Sequence, residues 1–394
     1  MYDYFKQIKV IDLSRMLPGP YCTMLLGDLG MEIIKVEDIE HEDITRDRAK
    51  PIFNMLNRNK KSIAINLKQE DGREVLRQLV AEADVFLEGF RPGVLDRLGF
   101  GYEQVKEINP QIVYCSLSGF GQTGPYKNRA GHDLNFLALA GMVGIPSQME
   151  MPTTRPATRI ADLAGGMMAA FSILAALMES KHSKLGQYVD VSMTDVLATW
   201  VGLFLPALIK NEKALSGSES PLVMPGNDMY EAKDRKWLAL GLNEDKFWTK
   251  FLHCLQDEFP ALSLKQWRSP VERMRRKIEL HHLIKGIILS KPFSYWEKIF
   301  GSSDIPWTPV NSAIDVIRDP HLKARQIFYH CFNPETGEKE LHVRFPTLFS
   351  TPLPTCQSAA PALGEHTEEI LQSLNYQSSI VDHLRQIKAV GIRK

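Results

Sequence analysis

Net charge is missing from this sequence: 47 Lys and Arg balance 47 Asp and Glu over 394 residues. No overall field therefore exists to draw in nucleic acid or an anionic membrane, and any anionic ligand must be held by local groups. Cysteine is scarce. Cys22, Cys115, Cys254, Cys331 and Cys356 are odd in number, scattered and free of CxxC spacing, which argues against a disulfide framework and a zinc site and suits a reducing cytoplasm. Long apolar runs are also absent. Residues 1–7 (MYDYFKQ) lack a signal-peptide core, and the terminal GIRK is no peroxisomal address. No uninterrupted apolar run reaches the roughly 20 residues of a membrane span.

What remains is a chain with 44% apolar residues, enough for one large or two ordinary domains. Residues 8–13 (IKVIDL) read as a buried strand, 18–29 as a helix entered through Pro18-Gly19-Pro20, and 32–37 (EIIKVE) as a second strand. The alternation continues with strands at 62–67, 84–88 and 111–116 and a helix from Gln69 to Ala83 that would bury Val75, Leu76, Leu79 and Val80. This rhythm predicts a parallel α/β sheet. Helical patterns follow at 133–143 and 162–180, and Leu185–Met193 restores a strand. The rhythm stops at 220–315, where a possible hairpin (Met229–Tyr230, Trp237–Leu242) precedes charged helices. The expected organisation is a large α/β domain over 1–200, a smaller α+β domain over 220–315, and a segment 320–394 returning to the first, after the Pro-rich link at 351–355.

Several short patterns carry possible chemistry. Ser118–Gly124 (SGFGQTG) contains GxGxxG after a strand, but Pro125 and Tyr126 follow instead of a helix, so a pyrophosphate would find no helix N-terminus. Gly131-His132-Asp133 opens a helical stretch. There His132 reads plainly as a packing or capping residue, and Asp133 as a cap of its own first turn. Asp162 could likewise be an N-cap, although Gly165 and Gly166 beneath it would let a ligand approach the backbone. Arg273, Arg275, Arg276 and Lys277 alternate with apolar residues like a solvated helix face. His281 and His282 are adjacent, so on a helix they diverge by about 100° and share a metal poorly. No metal is expected.

Longer blocks are more specific. VIDLSRMLPGPYCTMLLGDLG (10–30), NKKSIAINLKQEDG (59–72), ADVFLEGFRPGVLDRLG (83–99), SLSGFGQTGP (116–125), ADLAGGM (161–167) and GQYVDVSM (186–193) follow one another in order. PVNSAIDVIRDPH (309–321) and LGEHTEEIL (363–371) lie downstream. In these blocks the chain resembles the family III CoA transferases, a group that includes the α-methylacyl-CoA racemases. The resemblance implies an α/β class fold: a Rossmann-like large domain, a smaller α+β domain and an interlocked homodimer. Asp162 matches the acidic residue that the transferases use as nucleophile, through an acyl anhydride and an aspartyl-CoA thioester. GHDLN (131–135) is similar to the racemases' GHDIN, and LGLNEDKFW (240–248) to the racemase segment with Glu before a phenylalanine.

By that match His132 and Asp162 would move protons on opposite faces of the carbon beside the thioester, and Glu244 would orient His132. Epimerisation of a 2-methyl-branched acyl-CoA is thus the expected reaction, CoA transfer the alternative, and a degenerate acyl-CoA binding protein a third. Backbone N–H groups at the Asp133 or Asp162 helix starts could hold the enolate oxygen. For CoA the match points to Ile65, Asn66, Leu67 and Lys68 near the adenine, to Gly89, Phe90, Arg91 and Arg97, and to Gly131 and Asp133 near the reacting group. CoA enters as part of the substrate, and no permanently bound cofactor is implied. The sequence departs from the racemase pattern at Asp38, where a basic residue is usual. Lys35 or Arg46 would have to take over, and the long loop 38–57 cannot be placed. The acyl chain would sit among loops such as 143–160.

Overall fold

The computed structural model describes residues 5–145, 149, 155–209, 220–334, 336–353 and 358–391. Six strands run parallel: β1 (Lys9–Asp12), β2 (Glu32–Glu37), β3 (Lys60–Ile65), β4 (Val85–Glu88), β5 (Val113–Ser118) and β6 (Gln187–Ser192). Their order in the sheet is β3-β2-β1-β4-β5-β6. This is the order of a doubly wound nucleotide-binding sheet, which reverses direction between β1 and β4. The central strands are almost wholly buried, as their mainly apolar sequences lead one to expect. Val75, Leu76, Leu79 and Val80 of the Glu70–Ala81 helix pack on Ile11, Ile34, Ile63 and Phe86.

The chain divides into two compact units, the first of residues 1–140, 157–199 and 320–394, the second of 141–156 and 200–319. In the second unit β7 (Asn227–Glu231), β8 (Trp237–Gly241) and β9 (Trp307–Pro309) form an antiparallel sheet. Trp248, Trp267 and Trp296 fill its core. Arg273, expected on a solvated face, is buried there: it ion-pairs with Asp245 and lies 4.9 Å over the Trp248 ring. His281 is buried against Tyr230 while His282 turns away.

Back in the first unit, β10 (Phe328–Asn333) and β11 (Glu338–Val343) form a hairpin, and β12 (Val390–Gly391) closes the sheet antiparallel to β3. The sequence pattern offers no sign of that two-residue strand, because its partner and not its own period makes it extended. The unplaced loop 38–57 proves to hold two helices, Thr45–Arg48 and Lys50–Asn57.

The 24-residue helix Ile160–Ser183 is apolar and long enough to cross a membrane by length and composition alone, yet half of its most apolar window is buried inside the protein. Its glycines explain the fit. A Cβ at Gly166 would collide with the Pro18 carbonyl oxygen and one at Gly165 with Met193. Both glycines therefore serve close packing against the Pro18–Asp28 helix and the residue after β6, and not the approach of a ligand as the sequence suggested.

Candidate active site

In open α/β sheets ligands bind outside the carboxyl ends of the strands where the order reverses, here the loops after β1 and β4. The loop after β1 stands on buried charges. Asp12 accepts hydrogen bonds from the Ser14 N–H (2.9 Å) and the Thr23 hydroxyl (2.6 Å), and Lys60 Nζ lies 3.4 Å away. Lys35 Nζ donates to the Ser14 carbonyl (2.9 Å) and to Asp43 (3.3 Å), and Asp43 accepts from the Met16 N–H (3.0 Å). Burial pushes Lys60 down to about 8, against the pull of Asp12. Burial alone would raise Asp12, but Lys60 and Lys35 hold its carboxyl below the usual range.

Lys35 is thus fully buried and committed, and Arg46 donates to Glu37 (2.9 Å) and the Pro361 carbonyl (2.9 Å). Neither replaces the missing basic residue, contrary to the sequence expectation. Asp38 instead accepts from the Glu40 and His41 N–H groups, closing a turn.

The loop after β4 hangs on Glu88. This residue is buried, takes the Phe90 N–H at 2.7 Å and is pushed up to about 7, chiefly by burial, with Asp96 and Asp190 adding to the rise. A carboxyl whose folded value lies above its ordinary 4.5 costs stability as pH climbs from about 4.5 to about 7. Glu88→Gln keeps an acceptor for Phe90 and removes that cost. Urea unfolding is expected to show a gain of up to about 3 kcal/mol at pH 8 and none at pH 4; an equal change at both pH values would refute the assignment. Beyond Glu88, Gly89, Arg91 and Arg97 are exposed and Phe90 is half-buried.

Of the residues after β3, Ile65 is packed in the core, so its side chain is not available to a ligand. Asn66 and Leu67 are half-buried and Lys68 is exposed. The Asn66 N–H donates to the Ala389 carbonyl at 2.9 Å, tying this turn to the C-terminal segment.

Two helix starts meet in the same unit. His132 is exposed on extended backbone before the Asp133–Leu139 helix, and its N–H donates to the Asn135 side chain (3.0 Å). Gly131 lies so close to the Phe136 ring that a Cβ there would come within 2.6 Å of it. Asp133 does not cap its own helix. It is buried, and its Oδ1 accepts from the Ala161 N–H (2.8 Å) and the Asp162 N–H (3.4 Å), capping the Ile160–Ser183 helix from outside. Those two N–H groups are therefore already occupied, and an oxyanion would need others. Asp162 is not an N-cap either, since Arg159 holds that position and Asp162 stands third in the helix. Burial and the neighbouring Asp133 push its carboxyl up to about 6, with Arg159 opposing.

Asp133→Asn retains an acceptor for the two N–H groups and removes the neighbouring charge. Under the proton-transfer role that the family match implies for Asp162, the limb of the pH–activity profile centred near 6 is expected to move to lower pH; an unmoved limb would show that Asp133 does not tune Asp162.

Glu244 belongs to the second unit, where it is exposed and precedes the Asp245–Leu255 helix, its carbonyl accepting from the Phe247 and Trp248 N–H groups. After β5 the SGFGQTG segment continues in turns, and the Gln122 N–H is taken by Asp190 at 3.0 Å. Of the proposed acyl loop 143–160, residues 146–148 and 150–154 lie outside the described residues. Sequence reasoning passed over Glu88 and Arg15, although each interrupts an apolar stretch with a charge at the carboxyl end of a central strand.

The arrangement can be set beside known proteins. The profile of CoA-transferase family III matches residues 5–367. The chain is 32% identical to a protein of Fusarium pseudograminearum named acyl-CoA transferase, over 95% of this chain and 85% of that one. It is 31% identical to human alpha-methylacyl-CoA racemase, over 98% of this chain and 97% of the other. A crystal structure of a CAIB/BAIF family protein from Brucella suis superposes with a TM-score of 0.79 at 29% identity, covering 93% of this chain and 98% of its own. A match along nearly the whole length, on a chain whose large sheet is doubly wound, places the chain in CoA-transferase family III.

Proposed function

We propose that this enzyme epimerises the α-carbon of a 2-methyl-branched acyl-CoA by proton transfer between His132 and Asp162. The observation that supports the reading is the Asp162 carboxyl at about 6, tied through Asp133 to the helix start that carries His132. An α-proton beside a thioester is weakly acidic, and inversion needs a base on one face and an acid on the other, each poised near neutrality. A carboxyl at about 6 meets that requirement. Asn66, Lys68, Gly89, Phe90, Arg91 and Arg97 are proposed to hold the CoA portion, Arg through two parallel donors.

An interlocked homodimer is proposed with it. Met167, Phe171 and Met178 lie on one face of the Ile160–Ser183 helix and are 49%, 68% and 77% exposed, the kind of surface a second copy covers. The four described cysteines are free, which fits a cytoplasmic setting.

The transferase reading is favoured by relatives of equal identity, such as human succinyl-CoA:glutarate CoA-transferase at 31%. There Asp162 would attack the thioester carbonyl to give a mixed anhydride and free CoA thiolate, which would then attack the aspartyl carbonyl, expelling the donor carboxylate and leaving an aspartyl-CoA thioester. A single-epimer 2-methylacyl-CoA in deuterated water separates the two. Deuterium uptake with epimerisation supports the racemase. No uptake, with CoA passing to an added carboxylic acid, overturns it.

A further inference from the structure

We infer that Arg15 is an oxyanion-binding residue of the CoA-thioester site, presented at the switch point by the buried charges beneath it. The inference rests on the family reading and adds a contact that the sequence match did not indicate.

Arg15 lies in the loop that leaves β1, at the place where the strand order reverses. Its guanidinium carbon is 5.7 Å from the centre of the Phe90 ring in the loop that leaves β4, so it bridges the two loops that flank the crevice. It is half-buried, yet among the described residues no carboxylate or carbonyl accepts from it. Nearby arginines behave differently, since Arg46 donates to Glu37 and Arg58 to Asp28. A half-buried guanidinium with its planar fork unused is suited to a carboxylate or phosphate.

The backbone on either side is fixed. The Ser14 N–H is held by Asp12, the Ser14 carbonyl by Lys35, and the Met16 N–H by Asp43. Met16 sits in the left-handed region at φ 68°, which is costly for a residue with a side chain and persists only where its surroundings enforce it. Three buried charges thus pin the residues before and after Arg15 while its own side chain stays unpaired. That is preorganisation: the loop need not be ordered when the ligand arrives.

Two oxyanions of an acyl-CoA could meet this group, the diphosphate of the CoA and a carboxylate carried on the acyl chain. Binding of three probes by calorimetry distinguishes them: a CoA ester of an uncharged acyl chain, an ω-carboxylated acyl-CoA, and a pantetheine thioester of the uncharged acyl chain, which lacks the diphosphate. Wild type and Arg15→Gln are compared, with thermal unfolding as a check that the variant folds. If Arg15 holds the diphosphate, both CoA esters lose roughly ten- to a hundredfold in affinity and the pantetheine thioester loses nothing. A loss confined to the carboxylated ester assigns Arg15 to the acyl end. Equal affinities for all probes, or equal losses on all three, overturn the inference while leaving the family reading intact. Wild-type protein that binds no probe overturns the inference together with the acyl-CoA role proposed for this chain.

Discussion

Asp162→Asn is expected to abolish epimerisation, lowering its kcat/KM by about 10²–10⁴, while proton exchange survives on one face. The asymmetry follows from the proposed two-base mechanism. With Asp162 gone, His132 can still remove the α-proton from the epimer that presents it to the imidazole, exchange it with solvent and return deuterium to the same face. That epimer gains deuterium with retained configuration, and the other is inert. In His132→Gln the roles reverse, and exchange persists only in the epimer that faces Asp162. The fold is not expected to suffer at position 162. Burial and Asp133 already disfavour its ionised form, so an amide there removes a repulsion. Mass and chiral analysis of both epimers, in both variants, tests the scheme. Exchange lost from both epimers in either variant, or exchange retained in both, would contradict opposed bases. A CoA transfer that needs Asp162 and ignores His132 would restore the nucleophile.

Much of the fold is legible in the sequence alone. The βαβ alternation from Ile8 to Glu37 and the Val75, Leu76, Leu79, Val80 stripe are period signals, and the sheet and its covering helix follow them closely. Strand boundaries shift by about two residues, as at 60–65 against the expected 62–67, because pairing with β2 and not composition sets the register. Less legible is anything decided by a distant partner. Val390–Gly391 is a strand because β3 offers an open edge. Gly165 and Gly166 look like room for a ligand until the Pro18 carbonyl and Met193 fill that room.

The site shows the same division. Local context reads His132, Asp133 and Asp162 only as packing or capping residues, and it is the family resemblance that singles them out; the structure brings the last two together through a hydrogen bond that no local spacing encodes. Lys35 is the natural substitute for a missing phosphate ligand by sequence, since it lies in the strand that leads to the expected position. Its zero exposure and its bonds to Ser14 and Asp43 reassign it from ligand to support. Charge in a sequence says nothing of whether it will be solvated, and here the difference separates Lys35 and Lys60, which hold the loop, from Arg15, which the loop presents.

That support can be removed. Asp12→Ala leaves Lys60 and Lys35 buried without their shared carboxylate and strips the Ser14 N–H and Thr23 hydroxyl of their acceptor. Breaking a buried ion pair from one side costs about 3–5 kcal/mol, far more than a surface pair. The loss should depend on pH in a defined direction. Lys60 titrates at about 8 in the folded chain and near 10.5 when unfolded, so its buried charge penalises the fold below about 8 and the penalty lifts as pH rises toward 10.5. A neutral amine needs no counter-ion, and the destabilisation by Asp12→Ala is therefore larger at pH 7 than at pH 10. Lys60→Met in the Asp12→Ala background replaces the stranded ammonium with an apolar chain of similar length and should recover part of the loss at pH 7. Urea unfolding of the single and double variants at both pH values measures these terms together. A loss that is the same at pH 7 and pH 10, with no recovery in the double variant, would mean that Asp12 acts only through its hydrogen bonds to Ser14 and Thr23. The loop before Arg15 would then be held by local turn geometry and not by the buried charges.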